Sequence, residues 1–109
     1  MAKNEIVTPY DDASFPVAAA FTTAIAAGAS TTTLKPSPGR LCRVSVTTAG
    51  TSTDNITIYD NASAGSGEVL AVIPGGGTLG TIYVLDVPAV NGITAVNVAS
   101  GPAVTIGWS

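Results

Sequence analysis

Short apolar and β-branched runs, separated by turn residues about every ten positions, restrict the fold of this sequence more than any other feature. In the clearest run, residues 40–48, the apolar Cys42, Val44 and Val46 alternate with polar residues. A second run, 56–59, alternates in the same way. A period of two is typical of a β-strand that buries one face. We count seven or eight such strands and no convincing helix, which predicts an all-β domain.

Small polar residues and glycine mark the ends of these strands. They follow the second run over 60–67, and Asn91 and Gly92 stand together between two later runs. Such residues favour turns because they bond to nearby main chain or accept left-handed backbone. We expect Asp60 and Asn61 to accept backbone N–H bonds in their own turn. Calcium ligation is the alternative, but no loop carries the repeated carboxylates of a dedicated calcium site.

Three segments need a closer interpretation. Residues 17–28 are rich in alanine and permit a short helix ending at Gly28. A strand over 21–25 is favoured instead, because its paired threonines lower helix propensity. Residues 69–73 are apolar throughout, which suits either a central strand or a strand whose outer face meets a partner. A further strand is expected over 78–87, with Pro88 closing it.

The pattern predicts one antiparallel β-sandwich over residues 21–109, either jelly-roll-like or immunoglobulin-like. Residues 1–20 show no sustained period, and Pro9 and Pro16 favour extended backbone before them. We expect an extended N-terminal arm that lies on a neighbouring subunit; a frayed terminus is the alternative. The apolar side chains that would anchor this arm to a partner are Ile6, Val7, Tyr10 and Phe15.

Charge is scarce in this chain. Of its 109 residues 46% are hydrophobic and only 10% are charged, against about 25% in a typical soluble domain. A surface with so few charges is poorly protected against association. Either the exterior is covered by threonine and serine, or much of it meets other protein in a permanent assembly. The net charge of −3, with four basic residues, excludes the basic stripe that nucleic-acid binding needs.

The sequence also argues against membrane insertion, secretion and catalysis. No apolar run approaches the ~20 residues of a membrane span, and no secretory signal is expected at the N-terminus. The chain has no histidine and one cysteine, so zinc sites, the usual catalytic triads and an internal disulfide are not expected. Cys42 belongs to the apolar set of its strand, which indicates a small buried side chain instead of a nucleophile. We therefore expect no enzymatic activity, no metal and no cofactor.

Segments of strand and turn residues give the chain a resemblance to a known class of protein. The segments 39–46, 56–61, 66–67, 90–93 and 104–106 resemble small virion proteins of tailed bacteriophages, namely the head decoration or cement proteins. The resemblance implies a non-enzymatic protein that binds the major capsid protein on the outer surface of the head. It also implies a homo-oligomer, with a trimer favoured over a dimer, made in the host cytoplasm. No individual binding residue is transferred by it.

Two other functions remain open at this point. The first is a β-sandwich module on a fibre that binds glycan or another host molecule through its loops. The second is a minor tail or head–tail connector component. Glycan binding by the isolated domain would favour the first, and a low copy number per particle would favour the second.

Overall fold

The computed structural model describes residues 21–50, 54–76 and 79–109, and these ranges form eight β-strands and no helix. The strands lie in two four-stranded antiparallel sheets. Their bounds are β1 (Phe21–Ile25), β2 (Ser30–Lys35), β3 (Gly39–Thr48), β4 (Ile56–Asp60), β5 (Glu68–Ile73), β6 (Ile82–Ala89), β7 (Ile93–Asn97) and β8 (Ala103–Trp108). The predicted all-β class is confirmed. The predicted N-terminal arm lies outside the described residues.

The chain passes from one sheet to the other at almost every connection between strands. The first sheet has the order β1-β8-β3-β6 and the second has the order β2-β7-β4-β5. Only β4 and β5 are neighbours both in sequence and in a sheet, so every other connection passes from one sheet to the other. β1, β6, β2 and β5 are consequently the edge strands, and β8 lies inside the first sheet between β1 and β3.

One cluster of buried apolar side chains includes at least one residue from each of the eight strands. Its members are Ile25, Leu34, Leu41, Val44, Val46, Ile56, Ile58, Ile73, Ala89, Ile93, Ala95, Val104 and Ile106. Burial of a Val, Leu or Ile side chain contributes about 1.5–3 kcal/mol to folding before entropy is counted. This shared cluster is therefore the main source of cohesion between the two sheets.

The strands with the strictest alternation form as the sequence predicts. Cys42, Val44 and Val46 are buried in β3, and Ile56 and Ile58 are fully buried in β4. The strand predicted over 21–25 also forms, as β1, in preference to the helix. Alternation identified the buried set correctly in β4 and over residues 42–47 of β3, because one face meets the core and the other does not. Residues 39–42 are all buried, so alternation fails at the start of β3.

The structure excludes the first of the two positions that suited residues 69–73, and the predicted bounds 78–87 of the next strand, now Ile82–Ala89, are wrong at both ends. β5 is an edge strand, so it is not the central strand that its apolar run permitted, and Val69 and Val72 are about half exposed. β6 continues past Pro88 to Ala89. Proline has no N–H to donate to a sheet, and it is tolerated here because β6 lies at the edge of the first sheet.

A β-bulge between β3 and β6 changes which side chains enter the core. Leu41 pairs with Val87 and Arg43 pairs with Val84, so β6 has one extra residue at this point. Asp86 lies in the bulge with φ of 51°, a left-handed conformation that aspartate accepts more readily than most residues. Bulges bend a strand and redirect its side chains.

Candidate functional site

The outer face of the first sheet holds an open groove of about 350 Å³, which we call the outer groove. One cross-strand row of its lining runs from Thr22 through Gly107 and Arg43 to Val84, so all four strands contribute. Gly107 has no side chain, so it forms the floor of the groove between neighbours whose side chains project outward. Val84 is 71% exposed at the β6 edge, where an apolar side chain gains nothing from facing water.

The next row of the outer groove contains Thr105, Ser45 and Ile82. Two short polar side chains continue the floor, and Ile82, which is 62% exposed, extends the wall begun by Val84. Tyr83 lies between these two residues in β6 and packs against the core. Ile82 and Val84 alternate in the sequence with Thr81, Tyr83 and Leu85, but the alternation does not show which set faces outward. Pro88 was the available signal, since a proline in a strand marks an edge where burial is incomplete.

The chemistry of the outer groove suits binding. Its lining is threonine, serine, glycine and two aliphatic residues, and Arg43 is its single charged group. Arg43 is exposed, and no hydrogen bond or ion pair joins it to another residue within the described ranges. The lining offers no carboxylate, imidazole or thiol, so it presents an apolar wall and one positive charge to a ligand.

The outer face of the second sheet is different because a loop lies over part of it. A Cβ atom at Gly65 would collide with the Val96 side chain and lie 3.8 Å from the ring of Tyr59. The loop 61–67 therefore rests directly on β4 and β7. What remains open on this sheet is the edge, where Val69 and Val72 are exposed.

Asn61 holds this loop in shape, as the sequence predicts. Its Oδ1 accepts hydrogen bonds from the backbone N–H groups of Ser63, at 2.9 Å, and Ala64, at 2.8 Å. Its Nδ2 donates to the carbonyl oxygen of Ser66 at 2.9 Å. The bonds accepted by Oδ1 form an Asx turn at the start of the loop, and the bond donated by Nδ2 ties Asn61 to the end of the loop.

Asp60 accepts backbone N–H bonds as predicted, but in a different loop. Its Oδ1 accepts from Asn91 at 2.7 Å and Gly92 at 3.2 Å, and its Oδ2 accepts from Val90 at 3.1 Å. The prediction that these bonds lie in its own turn is wrong. Asp60 alternates with Tyr59 and so shares the inward side of β4 with Ile58, where the β6–β7 connection passes.

The environment of Asp60 favours its ionised form. The carboxyl group is 7% exposed, and this burial raises its pKa. The backbone N–H groups of Asn91, Val90 and Gly92 act in the opposite direction and outweigh burial, so the pKa of Asp60 lies below its ordinary value. We therefore assign Asp60 a structural role at neutral pH.

The two turn segments of the sequence meet in space. A Cβ atom at Gly92 would lie 2.6 Å from the carbonyl oxygen of Lys35 and 2.7 Å from Cα of Ala62. Thr94 adds a bond from its Oγ1 to the carbonyl oxygen of Asn61, at 2.8 Å. The turn predicted at 91–92 is confirmed. It connects β6 to β7, which lie in different sheets, so the two strands do not form a hairpin.

Cys42 is buried, as its position in the apolar set predicts. It is 3% exposed, and burial raises the pKa of its thiol. Its Sγ lies 3.7 Å from the carbonyl oxygen of Arg40 and 3.9 Å from Oγ of Ser109. A thiol with a raised pKa is a poor nucleophile at neutral pH.

A buried arginine is the feature that the sequence did not indicate. Arg40 is 8% exposed, and its Nη1 lies 2.8 Å from Oδ1 of Asp86 in the β6 bulge. Alternation places Arg40 on the side of Cys42, Val44 and Val46 and Arg43 on the other side, but nothing in the sequence identified Asp86, 46 residues further on, as the partner of Arg40. The Asp86 side chain is 58% exposed, so solvent screens this pair.

The described ranges contain neither a metal-binding cluster nor a membrane-spanning helix. No group of three or more His, Cys, Asp or Glu residues lies close enough together there to hold a metal ion. No helix in the same ranges is long and apolar enough to cross a membrane. The predicted partner-binding residues Ile6, Val7, Tyr10 and Phe15 lie outside the described residues.

Comparison with known proteins gives no assignment. No protein-family model, curated protein or solved structure matches this chain.

Proposed function

We propose that this protein is a non-enzymatic structural subunit of a bacteriophage virion, which binds the major capsid protein on the outer surface of the head and stabilises the shell. It would act as a homo-oligomer, with a trimer favoured over a dimer. The proposal extends the resemblance carried by the strand and turn segments. Its main support is the exposure of large aliphatic side chains in a charge-poor chain.

The aliphatic exposure occurs on both sheets. Val69 and Val72 are about half exposed on β5, and Ile82 and Val84 are more than 60% exposed on β6. Large contiguous patches of exposed apolar residues mark surfaces that meet other protein, and these two pairs are places where such side chains cluster. The scarcity of charge points the same way, because charged residues normally keep such edges apart.

We further propose that the two sheets pack face to face as a jelly-roll β-sandwich. The shared core cluster supports the face-to-face packing. The order β1-β8-β3-β6 and β2-β7-β4-β5, with connections that alternate between sheets, supports the jelly roll over the immunoglobulin arrangement. Jelly rolls occur in viral capsid proteins and in lectins, so the fold is compatible with the proposal and does not by itself select it.

A decoration protein stabilises a shell by mass action. It binds the assembled surface and has no binding site on separated subunits, so its binding free energy adds to the stability of the assembly. A cyclic oligomer places several weak contacts on the shell at once, and the combined attachment is much tighter than any one contact. This mechanism requires exposed binding surfaces and no catalytic group.

Copy number in purified particles tests the proposal. Quantitative mass spectrometry should find on the order of hundreds of copies per particle if the protein covers a symmetric shell. Particles that lack it should release DNA at a lower temperature, and added protein should restore the wild-type temperature. A few copies per particle would instead indicate the tail or connector component.

Glycan binding is the remaining alternative, and the outer groove gives it little support. The residues that line the groove include no aromatic ring on which a sugar could stack. Specific binding of the purified protein to a glycan array, together with its absence from the head, would overturn the capsid proposal.

A further inference from the structure

The outer groove lies beside the point where the N-terminal residues join the fold. β1 begins at Phe21, and its second residue, Thr22, lines the groove. Twenty residues precede Phe21 in the sequence. Residues 10–15 lie six to eleven residues before Phe21. A fully extended chain spans at most about 3.3–3.6 Å per residue, so these residues can reach roughly 20–40 Å from the start of β1. That length reaches the same groove on a copy that packs directly beside the first.

The N-terminal segment complements the outer groove in both polarity and charge. Tyr10 and Phe15 flank Asp11 and Asp12 in the sequence, so six residues carry two aromatic and two acidic side chains. The groove presents an aliphatic wall on β6 and one positive charge, that of Arg43. An aromatic side chain against the wall with a carboxylate near Arg43 would cover the apolar surface and neutralise the cation.

The direction of β1 favours a second copy as the source of the segment. The rows that form the groove start at Thr22 and continue toward the C-terminal end of β1. To place residues 10–15 in its own groove, the chain would have to reverse its direction within residues 16–20. These are Pro-Val-Ala-Ala-Ala, and Pro16 is the one among them that favours a turn. A segment that binds an adjacent copy can continue away from β1 without this reversal.

We infer that the N-terminal segment of one copy, through residues 10–15, docks in the outer groove of a second copy. The contact would hold the homo-oligomer together in the free protein, before any capsid is present. The inference is therefore independent of the proposed capsid function, because the groove could bind the segment whatever the protein does. If the inference fails, the copy-number test of the capsid proposal is unaffected.

Site-specific disulfide trapping tests the inference on the full-length chain. One preparation carries Phe15→Cys, the other carries Val84→Cys and a tag of different mass, and the two are mixed under mild oxidation. A control mixture replaces Val84→Cys with Val72→Cys, an exposed valine on the edge of the other sheet. The native Cys42 is buried in every chain.

We expect the Phe15–Val84 pair to form the mixed disulfide at least about tenfold faster than the control, because docking raises the local thiol concentration. Equal rates for Val84→Cys and Val72→Cys would overturn the inference. A chain that carries both Phe15→Cys and Val84→Cys should link to other copies. Purely intramolecular linkage, unchanged on dilution, would show that the chain occupies its own groove and would also overturn it.

Charge reversal gives an independent test by sedimentation equilibrium. Arg43→Glu alone, or Asp11→Lys with Asp12→Lys, should weaken self-association by up to about fivefold, with a larger effect at low salt. The three changes combined should restore it. Arg43 is exposed, so its replacement leaves the core intact. Additive losses in the combined variant would contradict the pairing.

Discussion

Asp60 connects two loops that are far apart in sequence, and its replacement should show how much that connection stabilises the fold. Its two carboxylate oxygens accept three backbone N–H bonds from residues 90–92. We consider Asp60→Ala, which removes all three acceptors, and Asp60→Asn, which retains Oδ1 for Asn91 and Gly92 and replaces Oδ2 with an NH₂ group. The pair separates the loss of charge from the loss of hydrogen bonding.

The expected magnitude follows from where the three N–H groups lie. Each hydrogen bond contributes about 0.5–1.5 kcal/mol net, more when the acceptor is charged, and a buried unpaired donor costs about 1–3 kcal/mol. Val90 and Asn91 are exposed, so water can replace the carboxylate there, whereas Gly92 is buried and its N–H would lose its partner. We expect Asp60→Ala to lower the free energy of unfolding by about 3 kcal/mol.

Asp60→Asn should cost less, about 1–2 kcal/mol, because only the bond to Val90 is removed outright. Its NH₂ group would then face the Val90 N–H, and two donors cannot bond to each other. The two bonds that remain would go to a neutral acceptor, which is weaker than a carboxylate.

The effect of Asp60 should depend on pH. The pKa of Asp60 is lowered in the folded protein, so its contribution is complete above the ordinary aspartate pKa of about 3.9 and is lost as pH falls through the folded value. The stability difference between wild type and Asp60→Asn should therefore shrink in acid.

Urea unfolding followed by the fluorescence of Trp108, the single tryptophan, is a suitable assay. Trp108 stacks on Phe21 with ring centroids 4.8 Å apart and donates from Nε1 to Oγ1 of Thr23, so its emission should change on unfolding. The reasoning would be refuted by an unfolding midpoint for Asp60→Ala equal to that of wild type. It would also be refuted if the difference between wild type and Asp60→Asn stayed constant from about pH 7 to about pH 3.

Two further predictions concern close packing and thiol access. Gly92→Ala should lower the free energy of unfolding by about 1–3 kcal/mol, because its Cβ would meet backbone atoms of Lys35 and Ala62 that cannot move aside cheaply; Asn91→Ala, which keeps the N–H bonded to Asp60, is the control, and equal thermal midpoints for the two would contradict this. Cys42 should resist alkylation in the folded protein and react readily in denaturant, since burial both shields it and raises its pKa; fast labelling under native conditions, measured by mass spectrometry, would show that the thiol is open.

The local parts of the fold were predictable from sequence, and the non-local parts were not. β4 and residues 42–47 of β3 alternate in burial because one face of each meets the core, and a period of two reports that directly. The apolar run of β5 suited a central strand and a strand that meets a partner equally well. Its position at the edge of the sheet depends on which strands pair with it, and that pairing is set by contacts between residues distant in sequence. The Asp60 bonds illustrate the same limit, since the acceptor was foreseen while its partners lie 30 residues further on.

The outer groove shows why a binding surface is harder to predict than a strand. Its walls and floor come from four strands that are adjacent in space but span residues 22–107 of the sequence. The low floor depends on Gly107 pairing with Arg43, and this register follows the extra residue in β3 opposite β8. Only the exposed set of β6 was visible beforehand, as an alternation whose direction could not be assigned.

The two outer faces differ in what a partner would have to displace. On the second sheet the loop 61–67 rests on Tyr59 and Val96, and the bonds of Asn61 hold the loop in its shape. A partner that binds that face centrally must first displace this loop. The outer groove has no such cover within the described ranges, and its wall at Ile82 and Val84 is already exposed. Because most preformed interfaces bind with little backbone change, the first sheet is the face on which we expect a protein partner to dock.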